Sequence, residues 1–215
     1  MYRKSFSFLG ILTGLLILCL LVSCSRPQKS GFNTDEIDTS RDPIQNRLAS
    51  MEPILLETKH GRYTLTPVAE YQLAGKVVGK ETYSYGWEAE ISPLDLAIAW
   101  GDLAESEHEK YVSFSQRNRW YFYEYKPGSP LGNSYIISHS SNNHIIPATE
   151  NISLALKTVK KGEKVSLEGF LVNLKGTYKG GEVYWNTSFT RKDTGNGSCE
   201  LIYVTKARIG SDVYE

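Results

Sequence analysis

Residues 138–148 read SHSSNNHIIPA and place His139 and His144 on either side of Ser140, Ser141, Asn142 and Asn143, ahead of an apolar Ile145-Ile146-Pro147. Imidazole changes charge near neutral pH and serves as a general base or a metal ligand, so this cluster is the first place to look for chemistry. A spacing of five puts the two rings on opposite faces of a strand. They converge only across a turn, and Ser-Ser-Asn-Asn is turn composition. Three readings stay open. The first is a polar loop whose side chains satisfy local backbone groups. The second is a catalytic or ligand-binding role. The third is a zinc-type site, which needs three or four ligands and would have to recruit His60, His108, Asp193 or Glu200. The pattern assigns no metal and no cofactor.

A second candidate is Cys199 in RKDTGNGSCELIYV. A lone thiol becomes a nucleophile when a histidine activates it, and His139 or His144 would be that base. Strand alternation puts Cys199 with Leu201 and Tyr203, where a small buried residue fits equally well. The third candidate is SQRNRWYFYEY, 115–125. Read as one strand, it sets Arg117, Arg119, Tyr121 and Tyr123 on one face and Gln116, Asn118, Trp120, Phe122 and Glu124 on the other. Guanidinium forks beside aromatic rings suit an anionic or sugar ligand. With Ser140, Asn142 and Asn143 as further hydrogen-bonding groups, they make the expected ligand-binding face. Tyr and Trp are also simply good strand formers. Asp95 and Asp102 are seven apart and would share a helix face, an arrangement open to paired-carboxylate chemistry or to simple solvation. TGNGSC, 194–199, lacks the Lys-Ser/Thr of a phosphate loop and reads as a tight hairpin.

The elements that must position these groups are mostly strands. From Gly61 onward Tyr, Val, Ile and Thr alternate. RYTLTPVAEYQLAGKVVGKETYS reads as two strands around Pro67, 112–125 as one long strand, and 134–139 as another. Segments 163–176, 181–190 and 199–209 follow. Short helices are expected over 92–105, with Ser92 as cap and Pro93 in the first turn, and over 148–162, closed by Lys160-Lys161-Gly162. Dense short strands with glycine punctuation predict a mainly β domain, a small barrel with one or two short helices. VKKGEKVSLEGFLV and YQLAGKVVGKETY resemble strands of OB-type barrels, in which a glycine such as Gly169 lets a strand bend at a corner.

The chain opens MYRKSFSFLGILTGLLILCLLVSC. Arg3 and Lys4 precede an apolar run from Phe6 to Val22, which has the form of a secretory signal, with an uncleaved single-span anchor as the alternative. Leu21-Val22-Ser23-Cys24 resembles the lipobox of bacterial lipoproteins. That resemblance implies cleavage before Cys24, diacylglyceryl transfer to its sulfur and anchoring in the cell envelope. The absence of Asp at position 25 implies the outer membrane, with the domain facing the periplasm. Residues 1–23 are then the signal, 24–59 the lipidated cysteine and a polar, flexible tether, and 60–215 the globular domain. Cys19 leaves with the signal and Cys24 is capped, so Cys199 is left without an intramolecular disulfide partner.

Segments SPLDLAIAWGDLA, SQRNRWYFYEY, SHSSNNHIIPA and TGNGSCELIYV, in that order, are similar to an uncharacterised family of bacterial envelope proteins. This likeness implies one shared domain and assigns no activity. Lys+Arg and Asp+Glu both number 24, so the chain is formally neutral. Neutrality gives no general attraction to polyanions and argues against nucleic acid as a partner. The expected function is a membrane-anchored periplasmic binding or envelope-maintenance module with an envelope protein or glycan as partner. The alternative is a cell-envelope hydrolase built on Cys199.

Overall fold

The computed structural model describes residues 26–190 and 199–215. Cys24, the expected signal segment 1–23, the candidate ligand Asp193 and residues 194–198 of the expected hairpin lie outside the described residues. Five strands close a ring: β4 (Gly61–Thr82), β5 (Leu94–Ala99), β8 (Ser140–Pro147), β11 (Glu200–Ile209) and β9 (Lys164–Tyr178). β4 pairs with β5, β5 with β8, β8 with β11, β11 with β9, and β9 returns to β4. All pairings are antiparallel except β8 with β11. A five-stranded barrel in this order, with a helix between its third and fourth strands in chain order, has the OB topology. That helix is Glu150–Thr158. Thr149 caps it by accepting from the Ile152 N–H at 3.2 Å. It buries Ile152 and Leu156 against Val77, Val165 and Ala207 at one end of the barrel core.

Alternation sorts the barrel strands into an inner and an outer face. Leu94, Leu96 and Ile98 of β5, Ile145 of β8 and Ile202 and Val204 of β11 fill the interior. Asp95, Ala97 and Ala99 point outward, opposite His144, Asn142 and Ser140 of β8. The long strands bend to close the ring. β4 carries irregularities between Pro67 and Ala69 and between Val77 and Gly79. β9 bends at Gly169, where a Cβ would drive into the Tyr203 carbonyl oxygen.

The outer face of β5–β8 is covered rather than open. β6 (Val112–Arg117) and β7 (Trp120–Tyr125) form a separate two-stranded sheet. Its inner side, with Phe114, Tyr121 and Tyr123, packs on Val78, Ala97, Ala99, Leu131 and Ile136. The hairpin turns at Asn118 and Arg119, with φ of 54° and 72°. Two consecutive positive φ values mark the primed two-residue turn that matches strand twist.

Several sequence expectations are corrected. Residues 112–125 make this hairpin rather than one strand, so Arg117 and Arg119 do not share a face. Arg117 is exposed and pairs with Trp120. Pro67 does not split 61–82, because the chain continues through a bulge. Segment 92–105 is strand β5 followed by a 3-10 turn at Gly101–Ala104. The period-two order of Leu94, Leu96 and Ile98 outweighs the Ser-Pro start signal. Residues 134–138 lie instead in a short helix, Asn133–Ser138, which His139 caps. SHSSNNHIIPA is no turn: Ser140–Pro147 is a central barrel strand whose first seven residues are all buried.

Residues 26–59, assigned by composition to the tether, carry three strands. β1 (Gly31–Phe32) pairs with β12 (Asp212–Tyr214), while β2 (Ile44–Arg47) and β3 (Ile54–Glu57) pair with β4. Ile37 and Thr39 are buried, and Asp42 accepts from the Trp100 indole at 2.9 Å. The ordered fold thus begins ahead of the expected boundary at residue 60. Among the described residues no helix is long and apolar enough to cross a membrane.

Candidate functional site

Two neighbouring barrel strands place Asp95 of β5 directly opposite His144 of β8. Asp95 is fully buried, and His144 retains only 4% of its surface. A carboxylate removed from water needs a charge partner, and the hairpin tip supplies it. Arg119 Nη1 lies 2.7 Å from Asp95 Oδ1. The same guanidinium donates to the Ser92 carbonyl at 2.8 Å and to Ser92 Oγ at 3.3 Å. Its Cζ sits over the Tyr83 ring, 3.6 Å from the ring centroid, and 5.4 Å from the centroid of Trp185. Tyr83 Oη donates to Asp95 Oδ2 at 3.1 Å and accepts from the Arg119 backbone N–H at 3.0 Å. Burial, reinforced by the nearby Asp95 charge, pushes the Tyr83 phenol well above its ordinary range.

His144 Nδ1 approaches Asp95 Oδ1 to 2.9 Å, and its ring lies 4.7 Å from that of Trp185. The approach is close but misaligned, and Nδ1 makes no directed hydrogen bond. Packing beside the Trp185 ring, not a linear N–H···O bond, keeps the two side chains together. Asn142 completes the cluster. Its Nδ2 donates to the Arg119 carbonyl at 3.0 Å and lies 3.8 Å from Cys199 Sγ. Its Oδ1 accepts from Gln116 Nε2 at 2.7 Å. One strand further along the roof, Tyr121 Oη sits 3.3 Å from Ser140 Oγ, and burial pushes its phenol up to about 12.

Of the expected ligand face, Arg119, Tyr121, Ser140 and Asn142 therefore come together. The rest do not. Asn143 belongs to the inner face, where Nδ2 donates to the Leu96 carbonyl at 3.0 Å. Tyr123 donates to Asn133 Oδ1 at 2.8 Å, away from the cluster. The two histidines do not converge. His139 stacks on Tyr135 at 3.7 Å with Nδ1 3.0 Å from the Tyr135 carbonyl, whereas His144 belongs to the Asp95 pair. Cys199 is partly buried beside Asn142. Asp95 and Asp102 are also separated, since Asp102 is exposed on the 3-10 turn. Among the described residues no group of three or more His, Cys, Asp or Glu side chains could hold a metal ion.

Sequence reasoning missed Asp95 as the buried hub, along with Tyr83, Ser92, Gln116 and Trp185. The available signal was a carboxylate inside LDLAIA, a period-two run whose other residues are all apolar. A charge embedded there demands a partner. In the folded chain the Asp95 carboxylate and the Arg119 guanidinium find their partners within the chain itself. Neither a family model, nor a curated protein, nor a solved structure matches the chain.

Proposed function

We propose that the chain is a lipid-anchored module of the bacterial envelope, held at the outer membrane through Cys24, that binds an envelope protein or glycan in the periplasm. One observation carries the binding reading. The Asp95, Arg119, His144, Tyr83 and Trp185 cluster lies on the β5–β8 face, between the segment joining β4 to β5 and the segment joining β9 to β11. OB barrels take ligands on this face, between these two connections. Anchoring is supported by Leu21-Val22-Ser23-Cys24 and the signal-like run before it. The neutral charge balance supports a partner other than nucleic acid.

Photo-cross-linking in intact cells tests this. A cross-linker at Trp120 or Tyr85, both exposed and beside the roofed face, is expected to give discrete adducts. One at Phe32, exposed on the strand paired with β12, is expected to give none. Equal labelling at all three positions would refute a defined face. Cys24→Ala is expected to move the protein from the membrane to the soluble fraction, and unchanged membrane association would refute the anchor.

A second reading has one observation in its favour. Cys199 borders the same cluster through Asn142, so a displaced roof would put a thiol near the Asp95–His144 pair in a cell-envelope hydrolase. Rapid, pH-dependent alkylation of Cys199 in the folded domain would support that reading, and reaction only after denaturation would eliminate it.

A further inference from the structure

We infer that the Tyr83–Ser92–Asp95–Trp185 pocket is a guanidinium-binding site that the chain fills with its own Arg119, and that the ligand of this face presents an arginine-like group to the same pocket. This deepens the binding reading of the β5–β8 face and rests on it.

The pocket has the parts of a cation receptor independently of Arg119. It offers a buried carboxylate, a main-chain carbonyl at Ser92 and two aromatic faces, Tyr83 and Trp185. Aromatic faces attract cations most strongly where water is excluded. A planar fork is needed to reach Asp95 and Ser92 together while its carbon sits over an aromatic ring, and an ammonium cannot do both. All four walls come from the barrel and the connections next to it. The cation alone comes from a separate two-stranded sheet.

The way Arg119 is delivered also distinguishes it from an ordinary structural ion pair. A primed turn favours glycine at its second central position, because φ is positive there. This turn has Arg119 at φ 72°. The backbone thus accepts an unfavourable conformation at the one position that carries the guanidinium into the pocket. A buried pair would be dispensable for stability alone, since well-packed apolar residues commonly do as well. The outer side of the hairpin carries Trp120 and Phe122, both large and exposed, so the element that would lift is itself able to meet a partner.

The test uses Arg119→Ala in residues 25–215 with methylguanidinium as probe, followed by the NMR resonances of the Trp185 indole and the His144 ring. Saturable binding at millimolar probe is expected for R119A, at least tenfold weaker binding for D95N/R119A, and no binding for the unaltered chain. Binding within twofold in R119A and D95N/R119A, or equal binding to the unaltered chain, would overturn the inference. Two further probes distinguish the source of the group. A Gly-Asn-Arg-Trp-Gly peptide that binds R119A more than tenfold tighter than arginine amide indicates a peptide arginine, and equal affinities indicate a free guanidinium compound. Should R119A fail to fold, refolding in methylguanidinium but not in methylammonium supports the site, and failure in both refutes it. Loss of methylguanidinium binding leaves the cross-linking result at Trp120 and Tyr85 standing. Uniform cross-linking would remove the face itself.

Discussion

Arg119 and Asp95, 24 residues apart in the chain, meet at 2.7 Å in a site where Asp95 exposes no surface at all. This contact joins the tip of the β6–β7 hairpin to the barrel. Around it the polar edges of β5 and β8 find their partners.

Removing one member of such a pair leaves the other as an uncompensated buried charge. Asp95→Ala is therefore expected to destabilise the domain by about 3–5 kcal/mol. Replacing both residues, as in D95L/R119M, is expected to cost far less than the sum of D95A and R119M. Urea unfolding of the single and double variants reads the coupling directly. Additive losses would mean that the two charges do not depend on each other.

The hairpin turn makes a second prediction because its two central residues contribute differently. Asn118 occupies the left-handed region at φ 54° with its side chain exposed, and asparagine tolerates that region. Asn118→Gly is expected to change stability by no more than about 0.5 kcal/mol, since turn relief and added unfolded-state freedom offset each other. Arg119→Gly suits the turn better still, yet is expected to cost about 2 kcal/mol or more by unpairing Asp95. Chemical denaturation of the two variants compares them. An R119G variant as stable as N118G would show that the guanidinium contributes nothing.

Much of the barrel was legible because it rests on alternation. The β9 and β11 segments, the helix after β8 and the bend at Gly169 follow from period-two or helical patterns and from glycine placement. What was not legible depended on contacts remote in sequence. SHSSNNHIIPA looks like a turn because its residues are polar. It is a strand because Asn143 finds the Leu96 carbonyl inside the barrel while Asn142 finds Arg119 and Gln116 outside it. These partners lie on β5 and on the β6–β7 hairpin, and no local pattern announces them. Likewise Arg117 and Arg119 were placed together because alternation assumes an unbroken strand. The Asn-Arg turn lacks the Asn-Gly signature that would have marked the hairpin. Asp95 was visible as a carboxylate but read on a helix face, where burial would have been unexpected.

Acid sensitivity should localise in part to Glu90, in the short helix Trp87–Ile91. Thr58 Oγ1 donates to its carboxylate at 2.6 Å, and His60 Nδ1 lies 2.5 Å away. The Thr58 hydrogen bond first, and His60 second, hold the Glu90 carboxyl below its ordinary value of 4.5. A depressed carboxyl stabilises the fold fully above that ordinary value and loses the contribution as pH falls through the depressed one. Thermal melts between pH 6 and 3 should therefore show a stability difference between the unaltered chain and Glu90→Gln that narrows below about pH 4.5. A constant difference across that range would dissociate Glu90 from the acid limb.

The alkaline limb has the opposite sign and is tied to Tyr121. Burial on the inner side of the hairpin raises its phenol to about 12 from an ordinary 10.0, against the lowering effect of its hydrogen bond to Ser140. The folded state thus keeps a proton that the unfolded state releases. This contribution is complete below pH 10 and is lost as pH rises towards 12. Tyr121→Phe cannot ionise and retains the ring packing on Phe114. Its alkaline unfolding midpoint is therefore expected to lie higher than that of the unaltered chain, whereas at neutral pH it gives up only the long contact to Ser140, about 0.5–1 kcal/mol. Absorbance titration near 295 nm beside circular dichroism separates ionisation from unfolding. If Tyr121→Phe leaves the alkaline midpoint in place, the hairpin roof lifts without the phenol ionising, and Tyr83, whose phenol is also raised and which touches Asp95, becomes the group that opens the site.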